Sequence, residues 1–473
     1  YSQQTKKMNL LPFNFERLDN GDYFLTNCAG YFTTLSKESL LHLADDDNEL
    51  SSEVLTKLKQ GFFVSKEDSY ESAVGAISSG LAKKISGELA FNPCFMIVPT
   101  LQCDHSCKYC QVSRAPLGQS QFDLDEQSIP EIVDMIKKLG SPPYKIEIQG
   151  GEPLVRFDLV EKIHSEAINK LGKNNFEFVV ATSLSLLDED VLLWAKANDN
   201  VCFSVSLDGD EVVHNSNRIL HSGNSFDLAI RGIRIINETL GLGRVATVTT
   251  VTKSLLNSPQ SIIDVHLNLD LHDMFVRPIS PYGFASKNVK VEYTQSDYEV
   301  FYRTLWDLLK SVNSSGERLV EHSALIHATR ILNPNYSQYA DLKSPSGLLL
   351  NCILFNFDGK IFGSDEARML QRVLPSVDFS IGTIKEPKML VNELHTRILQ
   401  DSFNIVHVGC ETCAFQPYCG TDPCQNISVQ GEPVGDKSKS AYCGYHKNMF
   451  KFLVQEYIYD GGTKSMIDGW LND

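Results

Sequence analysis

Three absences limit what this chain can be. No apolar run reaches the roughly 18 residues that a helix needs to cross a bilayer. The charge lacks a basic excess, because 43 lysines and arginines face 59 aspartates and glutamates, for a formal net charge of −16. That balance argues against a nucleic-acid partner. The first residues also lack the apolar core of a signal peptide. We therefore expect a soluble cytoplasmic protein that binds neither membranes nor nucleic acid.

The 12 cysteines are distributed unevenly along the chain. The long segment between Cys110 and Cys352 contains one cysteine, Cys202, whereas a secreted disulfide framework spreads its cysteines over a small, loop-rich chain. Cys28, Cys94 and Cys202 are isolated, and each lies in an apolar or strand-like stretch. The others form an early triplet and a tail group, which indicates metal or cluster ligands.

At 473 residues the chain is too long for one ordinary domain. Residues 1–90 contain short strand and helix patterns that predict a winged-helix-like module, with a polar linker at 65–90. Residues 91–285 alternate strands and helices in six units, which predicts an α/β fold with parallel strands, a partial (β/α)6 barrel. Bridging helices at 286–345 and a cysteine-rich domain with a final helix at 346–473 complete the expected organisation.

The early triplet is Cys103-x3-Cys107-x2-Cys110, directly after the first predicted barrel strand. Parallel α/β barrels build their active sites at this end of the strands. A structural zinc or a closed iron–sulfur cluster takes four protein ligands. Three thiolates leave one iron of a [4Fe–4S] cluster open to a small molecule. The alternatives are a buried helical face, since the spacing is i, i+4, i+7, and a zinc site completed by His105.

This spacing, with Tyr109 before the last cysteine, resembles the motif of the radical SAM superfamily. The resemblance implies that Cys103, Cys107 and Cys110 hold a [4Fe–4S] cluster that binds S-adenosylmethionine. An external one-electron reductant would supply the electron for its cleavage to methionine and a 5′-deoxyadenosyl radical. Tyr109 would lie near the bound S-adenosylmethionine.

Gly150-Gly151-Glu152-Pro153, at the end of the second predicted strand, continues the resemblance. It implies that these four residues bind the amino group of S-adenosylmethionine through backbone atoms and the Glu152 carboxylate. Independently of the family, a glycine pair permits close approach of another backbone.

Later strand ends carry weaker signals. Ser183 and Ser206 place hydroxyls where the resemblance implies the ribose and the methionine carboxylate. Arg218 follows in the spacing of peptide-modifying members, and we expect it to contact the cofactor. Asp208 is our candidate for binding substrate or taking a proton, with a solvated turn carboxylate as the alternative. We expect His214 to be structural.

The tail group, Cys410-x2-Cys413-x5-Cys419-x4-Cys424 and then Cys443, resembles the SPASM domain of peptide-modifying radical SAM enzymes. The resemblance implies that Cys410, Cys413, Cys419 and Cys443 ligate one closed auxiliary [4Fe–4S] cluster. A closed site suits electron transfer or structure. A structural zinc with four cysteine ligands is the alternative.

A second auxiliary site is incomplete. Ser364 stands where the SPASM pattern has a cysteine, so Cys352, Cys424 and Asp365 remain as potential ligands. We expect this site to be absent, incomplete or unusually ligated.

Segments such as 10–15, 364–369 and 416–420 resemble the larger radical SAM maturase of His-Xaa-Ser peptide systems. That resemblance implies a ribosomally made precursor peptide as substrate, which is crosslinked or oxidised, and a second radical SAM maturase as partner. The N-terminal module would bind the leader by adding a strand to its sheet edge, or else simply cap the barrel. Two other functions remain open: an anaerobic sulfatase-type formylglycine maturase, and a zinc-stabilised peptide-binding adaptor.

Overall fold

The computed structural model describes residues 8–45, 50–112, 114–280, 282–283, 288, 290–386 and 393–472. Residues 1–7, which contributed to the expectation that no signal peptide is present, lie outside them. The described strands are β1 (Met8–Leu10), β2 (Asn14–Arg17), β3 (Tyr23–Thr26), β4 (Phe32–Leu35), β5 (Val64–Lys66), β6 (Cys94–Thr100), β7 (His105–Cys107), β8 (Tyr144–Gly150), β9 (Phe176–Thr182), β10 (Val201–Ser206), β11 (Arg218–Leu220), β12 (Val245–Thr250), β13 (Asp273–Arg277), β14 (Val320–Glu321), β15 (Cys352–Phe355), β16 (Lys360–Phe362) and β17 (Ser380–Thr383). The described helices are α1 (Lys37–Ala44), α2 (Ser52–Gln60), α3 (Tyr70–Glu88), α4 (Ile129–Leu139), α5 (Phe157–Leu171), α6 (Glu189–Ala197), α7 (Glu211–Asn217), α8 (Ser225–Leu240), α9 (Pro259–Asn268), α10 (Gln295–Ser314), α11 (His322–Leu332), α12 (Asp365–Val373), α13 (Glu393–Gln400), α14 (Pro423–Gln430), α15 (Ala441–Tyr459) and α16 (Gly461–Leu471).

A ten-stranded sheet organises the molecule, in the order β14-β13-β12-β10-β9-β8-β6-β15-β16-β17. From β6 to β14 all neighbours are parallel, and β15 adds to β6 in parallel on the other side. The β15–β16–β17 meander is antiparallel. The predicted α/β fold with a large, mainly parallel sheet is therefore confirmed. The strands of the tail segment continue this same sheet.

Hydrophobic periodicity explains why these segments fold as they do. On β9, Phe176, Phe178 and Val180 are buried and alternate with more exposed residues, as a strand with two different faces requires. On α4, Ile132 and Ile136 are buried one turn apart, so the helix covers the sheet with one apolar face. The alternation places the carboxyl ends of the parallel strands at one edge.

The N-terminal region forms a three-stranded antiparallel sheet, β2-β3-β4, and a separate β1–β5 pair. The prediction of a linker at 65–90 is wrong, because α3 occupies most of it. Its alanine, lysine and glutamate residues favour a helix despite the weak apolar pattern. Glu88 at its end pairs with Arg330 at 2.7 Å, and the two side chains are 3% and 1% exposed. The winged-helix-like description of the module stays a prediction.

Long helices connect the sheet to the tail. α10, α11, α15 and α16 share a core in which Trp306, Phe452 and Trp470 pack edge to face. The sequence predicted one final helix in the tail, whereas the structure has two in succession, α15 and α16. None of the described helices combines the length and the apolar character that a membrane crossing requires.

Candidate active site

The cysteine triplet lies on a segment that contains the short strand β7 and the turn that follows it. This segment is the cysteine loop. β7 pairs antiparallel with β11, which lays Cys107 opposite Arg218. The Cys103 backbone N–H donates to the Ala115 carbonyl at 3.0 Å, and that of Cys110 donates to the Cys107 carbonyl at 3.3 Å. The alternative of a buried helical face is therefore wrong. All three cysteines line one cavity of about 230 Å³ at the carboxyl edge of the sheet.

The alternative of a zinc site completed by His105 is not favoured by the hydrogen bonding. Ligand atoms of Cys103, Asp104 and His105 do lie within 4.8 Å of one another. However, His105 Nδ1 lies 2.8 Å from Asp104 Oδ1, and its Nε2 lies 2.8 Å from Ser225 Oγ. Both ring nitrogens are therefore already engaged, whereas metal ligation needs one of them free. The thiols of Cys103, Cys107 and Cys110 therefore stay the candidate metal ligands at this cavity.

The glycine pair fixes the backbone that leads into the cysteine loop. Gly150 has a φ of +136°, and a Cβ there would lie 2.2 Å from the Thr100 carbonyl oxygen. A Cβ on Gly151 would lie 2.2 Å from the Gln102 carbonyl oxygen. The Gly151 N–H donates to the Thr100 oxygen at 2.9 Å, and the Glu152 N–H donates to that of Gln102 at 2.8 Å. Glycines are thus required for contact between two backbones.

Glu152 is anchored to the end of β9. Its carboxylate is buried and accepts hydrogen bonds from Thr182 Oγ1 at 2.6 Å, from Ser183 Oγ at 2.7 Å and from the Ser183 N–H at 2.8 Å. These donors compensate the burial of its charge. Glu152 and Ser183 both line the cavity, but Ser183 is committed to Glu152. Pro153 is buried at the start of the next 3-10 turn and does not line the cavity, and its contact with a cofactor stays a prediction.

Two hydrogen bonds at the floor of the cavity connect the side chains of Arg218, Tyr109 and Asp208. The Tyr109 hydroxyl donates to Asp208 Oδ2 and accepts from Arg218 Nη1 at 2.9 Å. Asp208 Oδ1 accepts from the Thr250 N–H at 3.0 Å. Burial raises the pKa of Asp208, and the Arg218 guanidinium opposes that rise. The side chain of Asp208 is fully buried, so the alternative of a solvated turn carboxylate is wrong. A role of Asp208 in binding substrate or taking a proton stays a prediction.

A buried hydrogen-bond relay of His214, Ser225 and His105 contacts Asp208. Ser225 Oγ lies 3.0 Å from His214 Nε2 and 2.8 Å from His105 Nε2. His214 Nδ1 in turn accepts from the Asp208 N–H at 3.2 Å. Both histidines are buried, and the structural role of His214 stays a prediction. The relay ties the strand ends of β10 and β12 to the cysteine loop.

Residues 97–253 match the model of the Radical SAM superfamily. The chain contains a radical SAM domain. An uncharacterized protein of Methanocaldococcus jannaschii is 27% identical over 113 residues, and this match covers 24% of this chain and 37% of that protein. The chain therefore spans well under two thirds of the length of the curated relative that it matches.

Two groups of solved structures share the fold. Native anSMEcpe with bound AdoMet matches with a TM-score of 0.64 at 17% identity, over 80% of this chain and 100% of that chain. SuiB of Streptococcus suis bound to the precursor peptide SuiA matches with a TM-score of 0.56 at 14% identity, over 92% of this chain and 99% of that chain. At such identities the likeness shows the fold alone.

Other polar residues of the radical SAM domain face the cavity without having been predicted. Glu147 and Gln149 alternate with the buried Ile146 and Ile148 on β8. Central parallel strands are usually continuous hydrophobic runs, so this alternation was a readable signal for the cavity face. Burial raises the pKa of Glu147, while a hydrogen bond from Gln149 at 2.8 Å lowers it. The other polar residues on the cavity wall are Gln111, Arg114, Thr182, Ser204, Thr250, Arg277 and Ser280.

Ser206 is the predicted residue that is best placed for a ligand. It ends β10 and lines the cavity. Within the described part of the chain, no group hydrogen-bonds its hydroxyl. Its hydroxyl is therefore available to a molecule in the cavity, unlike that of Ser183.

The tail cysteines Cys410, Cys413, Cys419 and Cys443 lie in one region, and their ligation of one cluster stays a prediction of the SPASM resemblance. Cys410 and Cys413 are joined through a 3.0 Å backbone hydrogen bond, and Cys443 lies in the first turn of α15. Burial raises the pKa of Cys419, and the thiols of Cys413, Cys443 and Cys410 raise it further, which places all four within electrostatic reach. The N-terminal sheet packs on this loop, since Asn14 Nδ2 donates to the Cys413 carbonyl at 3.4 Å. Four converging thiols can hold a metal or a cluster.

The three residues that the sequence offered for a second tail site do not all line one cavity. Cys352 and Cys424 line a separate cavity of about 210 Å³. Asp365 does not line it, because its carboxylate is paired with the Arg368 guanidinium at 2.6 Å. The neighbouring Glu366 faces the cavity instead.

Proposed function

We propose that this chain is a radical SAM maturase that modifies a ribosomally made precursor peptide. The observation that carries the proposal is the placement of the thiols of Cys103, Cys107 and Cys110 on one cavity at the carboxyl edge of a parallel sheet. Support for a peptide comes from the relatives of the same fold, since SuiB was solved with the precursor peptide SuiA and anSMEcpe with the Cp18Cys peptide.

The donor set fits the cofactors of this class. Cys103, Cys107 and Cys110 would hold a [4Fe–4S] cluster, and the open side of the cavity would admit S-adenosylmethionine. When bound, this pair supplies one-electron cleavage of the sulfonium and so a 5′-deoxyadenosyl radical for hydrogen abstraction. Burial raises the pKa of Cys107 to about 11, so cluster binding must release a proton from that thiol.

The residues around the cavity orient the reactants. Ser206 offers a hydroxyl to the cofactor, and Arg218 with Tyr109 forms the floor of the cavity beneath the cysteine loop. Glu147 and Arg277 bring opposite charges to the strand edge, where they can position a polar peptide backbone. The buried relay of His214, Ser225 and His105 holds Asp208 and the cysteine loop in this geometry.

The proposal includes a second metal group, on the tail cysteines. Cys410, Cys413, Cys419 and Cys443 would hold a closed auxiliary [4Fe–4S] cluster, whose chemistry is one-electron transfer. An external reductant would supply electrons to the enzyme.

The N-terminal sheet is the proposed recognition surface for the precursor peptide. β2 and β4 each pair with β3 alone among the described strands, so their outer edges can accept an added strand. Phe15 on β2 is 51% exposed and packs against Phe13 and Tyr23, which offers an apolar contact beside the edge. Phe15→Asp should weaken peptide binding and leave the iron content unchanged.

Coexpression with a neighbouring precursor peptide, followed by mass spectrometry, tests the function. A product that has lost hydrogen and carries a new crosslink supports the proposal, and Cys107→Ala should leave the peptide unmodified. An aldehyde at a cysteine or serine would instead indicate a formylglycine maturase. A colourless, zinc-loaded protein prepared without oxygen would overturn the proposal and favour the adaptor. A second radical SAM maturase as partner stays a prediction of the family resemblance.

A further inference from the structure

A group of charged side chains lies where α3, α11 and the tail meet. Glu88 pairs with Arg330 at 2.7 Å, and both side chains are buried. Lys343 is also buried, and its Nζ donates to the Glu88 carbonyl at 3.1 Å. Lys84 is half-buried, and its Nζ donates to the Pro334 carbonyl at 3.3 Å. Three cations therefore share the single carboxylate of Glu88.

The pKa values of the two lysines reflect an excess of positive charge. Burial and the Arg330 guanidinium lower the pKa of Lys84 to about 8, although the Glu88 carboxylate acts to raise it. Burial also lowers the pKa of Lys343, while Glu88 opposes this effect and Arg330 adds to it. Buried charges are stable in proteins when they are paired with opposite charges. A further anion beside this group would therefore stabilise it.

Arg330 connects this charged group to the tail cysteines. Its Nε donates to the carbonyl of Tyr418, the residue before Cys419, at 2.5 Å. Burial raises the pKa of Cys419, whereas the Arg330 charge lowers it, so the guanidinium lies within electrostatic reach of that thiol. Among the described residues, nothing accepts a hydrogen bond from the buried Nη1 of Arg330. A buried donor without an acceptor is costly, so this N–H is available to an anion near the cysteines.

Lys343 approaches the tail cysteines through its backbone. A Cβ on Gly420 would lie 2.4 Å from the carbonyl carbon of Leu342 and 2.6 Å from the Lys343 nitrogen. Glycine at this position therefore permits close contact between the two segments. The Thr421 N–H donates to the Lys343 carbonyl at 3.3 Å. Since residues 420 and 421 directly follow Cys419, these contacts hold Lys343 beside that cysteine.

We propose that Arg330 raises the reduction potential of the auxiliary cluster on the tail cysteines, with Lys84 and Lys343 contributing further positive charge. The free Nη1–H of Arg330 would donate to a sulfur of the cluster. A [4Fe–4S] cluster with four thiolates is an anion, and the electron that it takes from the external reductant adds one negative charge. Net charge and hydrogen bonds to the sulfurs set the potential of such clusters. The cluster itself belongs to the proposed function, on which this role of Arg330 rests.

A redox titration of the full-length chain, followed by electron paramagnetic resonance, tests this role. The background carries Cys103→Ala, Cys107→Ala and Cys110→Ala, which removes the first cluster, and the protein is reconstituted anaerobically with iron and sulfide. The signal of the tail cluster is the one that Cys413→Ala removes. Its midpoint potential is then compared between charge variants in the same background.

The charge variants should shift the potential in opposite directions. Lys343→Met should lower it, and Glu88→Gln should raise it. A unit charge at about 10 Å changes the ratio of reduced to oxidised cluster roughly tenfold at an effective dielectric constant of about 20. That ratio corresponds to about 59 mV for one electron. Arg330→Lys keeps the charge but loses the planar fork of donors, so it should also lower the potential.

Lys83→Met is the matched control, because Lys83 is an exposed neighbour of Lys84 on α3. It should leave the potential unchanged, whereas Lys84→Met should lower it. Circular dichroism confirms the fold of each variant, and if Arg330→Lys does not fold, Lys343→Met and Glu88→Gln give the same test. Equal potentials in iron-loaded Lys83→Met, Lys343→Met and Glu88→Gln proteins would overturn the role of the charged group and leave the auxiliary cluster standing. A background protein that binds no iron would overturn the auxiliary cluster itself, and this role with it.

Discussion

Replacing Gly151 by alanine tests the contact between the glycine pair and the cysteine loop. The added Cβ would lie 2.2 Å from the Gln102 carbonyl oxygen and 2.4 Å from that of Leu101. Ordinary contact begins near 3.5 Å, so the two backbones must separate by roughly 1 Å. Backbone atoms cannot rotate away as a flexible side chain can. The movement displaces the segment that directly precedes Cys103.

A displacement of this size has a large effect on chemistry. Misplacing reacting groups by about 1 Å typically costs on the order of 100-fold in rate. We therefore expect Gly151→Ala to lower 5′-deoxyadenosine formation about 100-fold. The three thiols are retained, so the variant should still bind iron. Chromatography after anaerobic reduction in the presence of S-adenosylmethionine measures the rate, and a parallel iron assay reports cluster loading.

Gly75→Ala is the matched control. Gly75 lies within α3, and a Cβ there meets no atom within 4 Å. This variant should keep the wild-type rate. If Gly151→Ala formed 5′-deoxyadenosine within twofold of the Gly75→Ala protein, the close backbone contact would not position the cysteine loop.

Three further predictions concern the cluster, the buried ion pair and the pH dependence of stability. Cys107→Ala should abolish 5′-deoxyadenosine formation, and Cys202→Ala should not change it; turnover by the first variant would contradict the assignment of the triplet. Arg330→Met should lower the free energy of unfolding by roughly 3–5 kcal/mol, because it leaves the buried Glu88 carboxylate without its partner. In urea titrations Lys57→Met, which breaks the exposed pair with Glu53, should have no measurable effect. Burial lowers the pKa of His266 and of His327 to about 4, whereas the unfolded chain binds these protons near pH ~6.5. Stability should therefore be complete above pH ~6.5 and fall by about 3 kcal/mol per histidine toward pH ~4. A urea midpoint in His266→Gln that falls as steeply with pH as in the wild type would refute this for His266.

The barrel strands and their helices were predictable because burial imposes a strict pattern on them. α4, α6 and β9 all lie within residues 91–285, where the sequence predicted alternating strands and helices. Each of these segments is covered on one face only, so hydrophobic periodicity carries the information. α3 escaped prediction because its contacts are few and polar. Its anchor is a buried ion pair with Arg330, a residue far away in the sequence.

In the candidate site, too, short motifs could be read from the sequence, whereas contacts between residues that are distant in the chain could not. Motif spacing pointed to the cysteine triplet and the glycine pair because each is a short continuous segment, although the glycines contact the distant Thr100 and Gln102. The burial of Asp208 was not visible in the sequence, because its turn resembles an exposed one, whereas the structure buries the side chain against Tyr109 and Thr250. Asp365 was chosen for its position next to Ser364, although a helix places Glu366 toward the cavity instead. Composition cannot reveal which of two adjacent carboxylates turns inward.

Gly-Gly-Glu-Pro combines two structural tasks that explain why the motif is one continuous segment. Its glycines allow the backbone of the β8 end to bond to the strand that leads into the cysteine loop, and its glutamate fixes the end of β9. A single turn thereby locks three successive strand ends, those of β6, β8 and β9, in one arrangement. Rigid placement of several strand ends is what a radical reaction needs, because a misplaced hydrogen leads to side reactions. Disturbing either half of the segment should therefore affect the geometry of the cysteine loop before it affects the stability of the sheet.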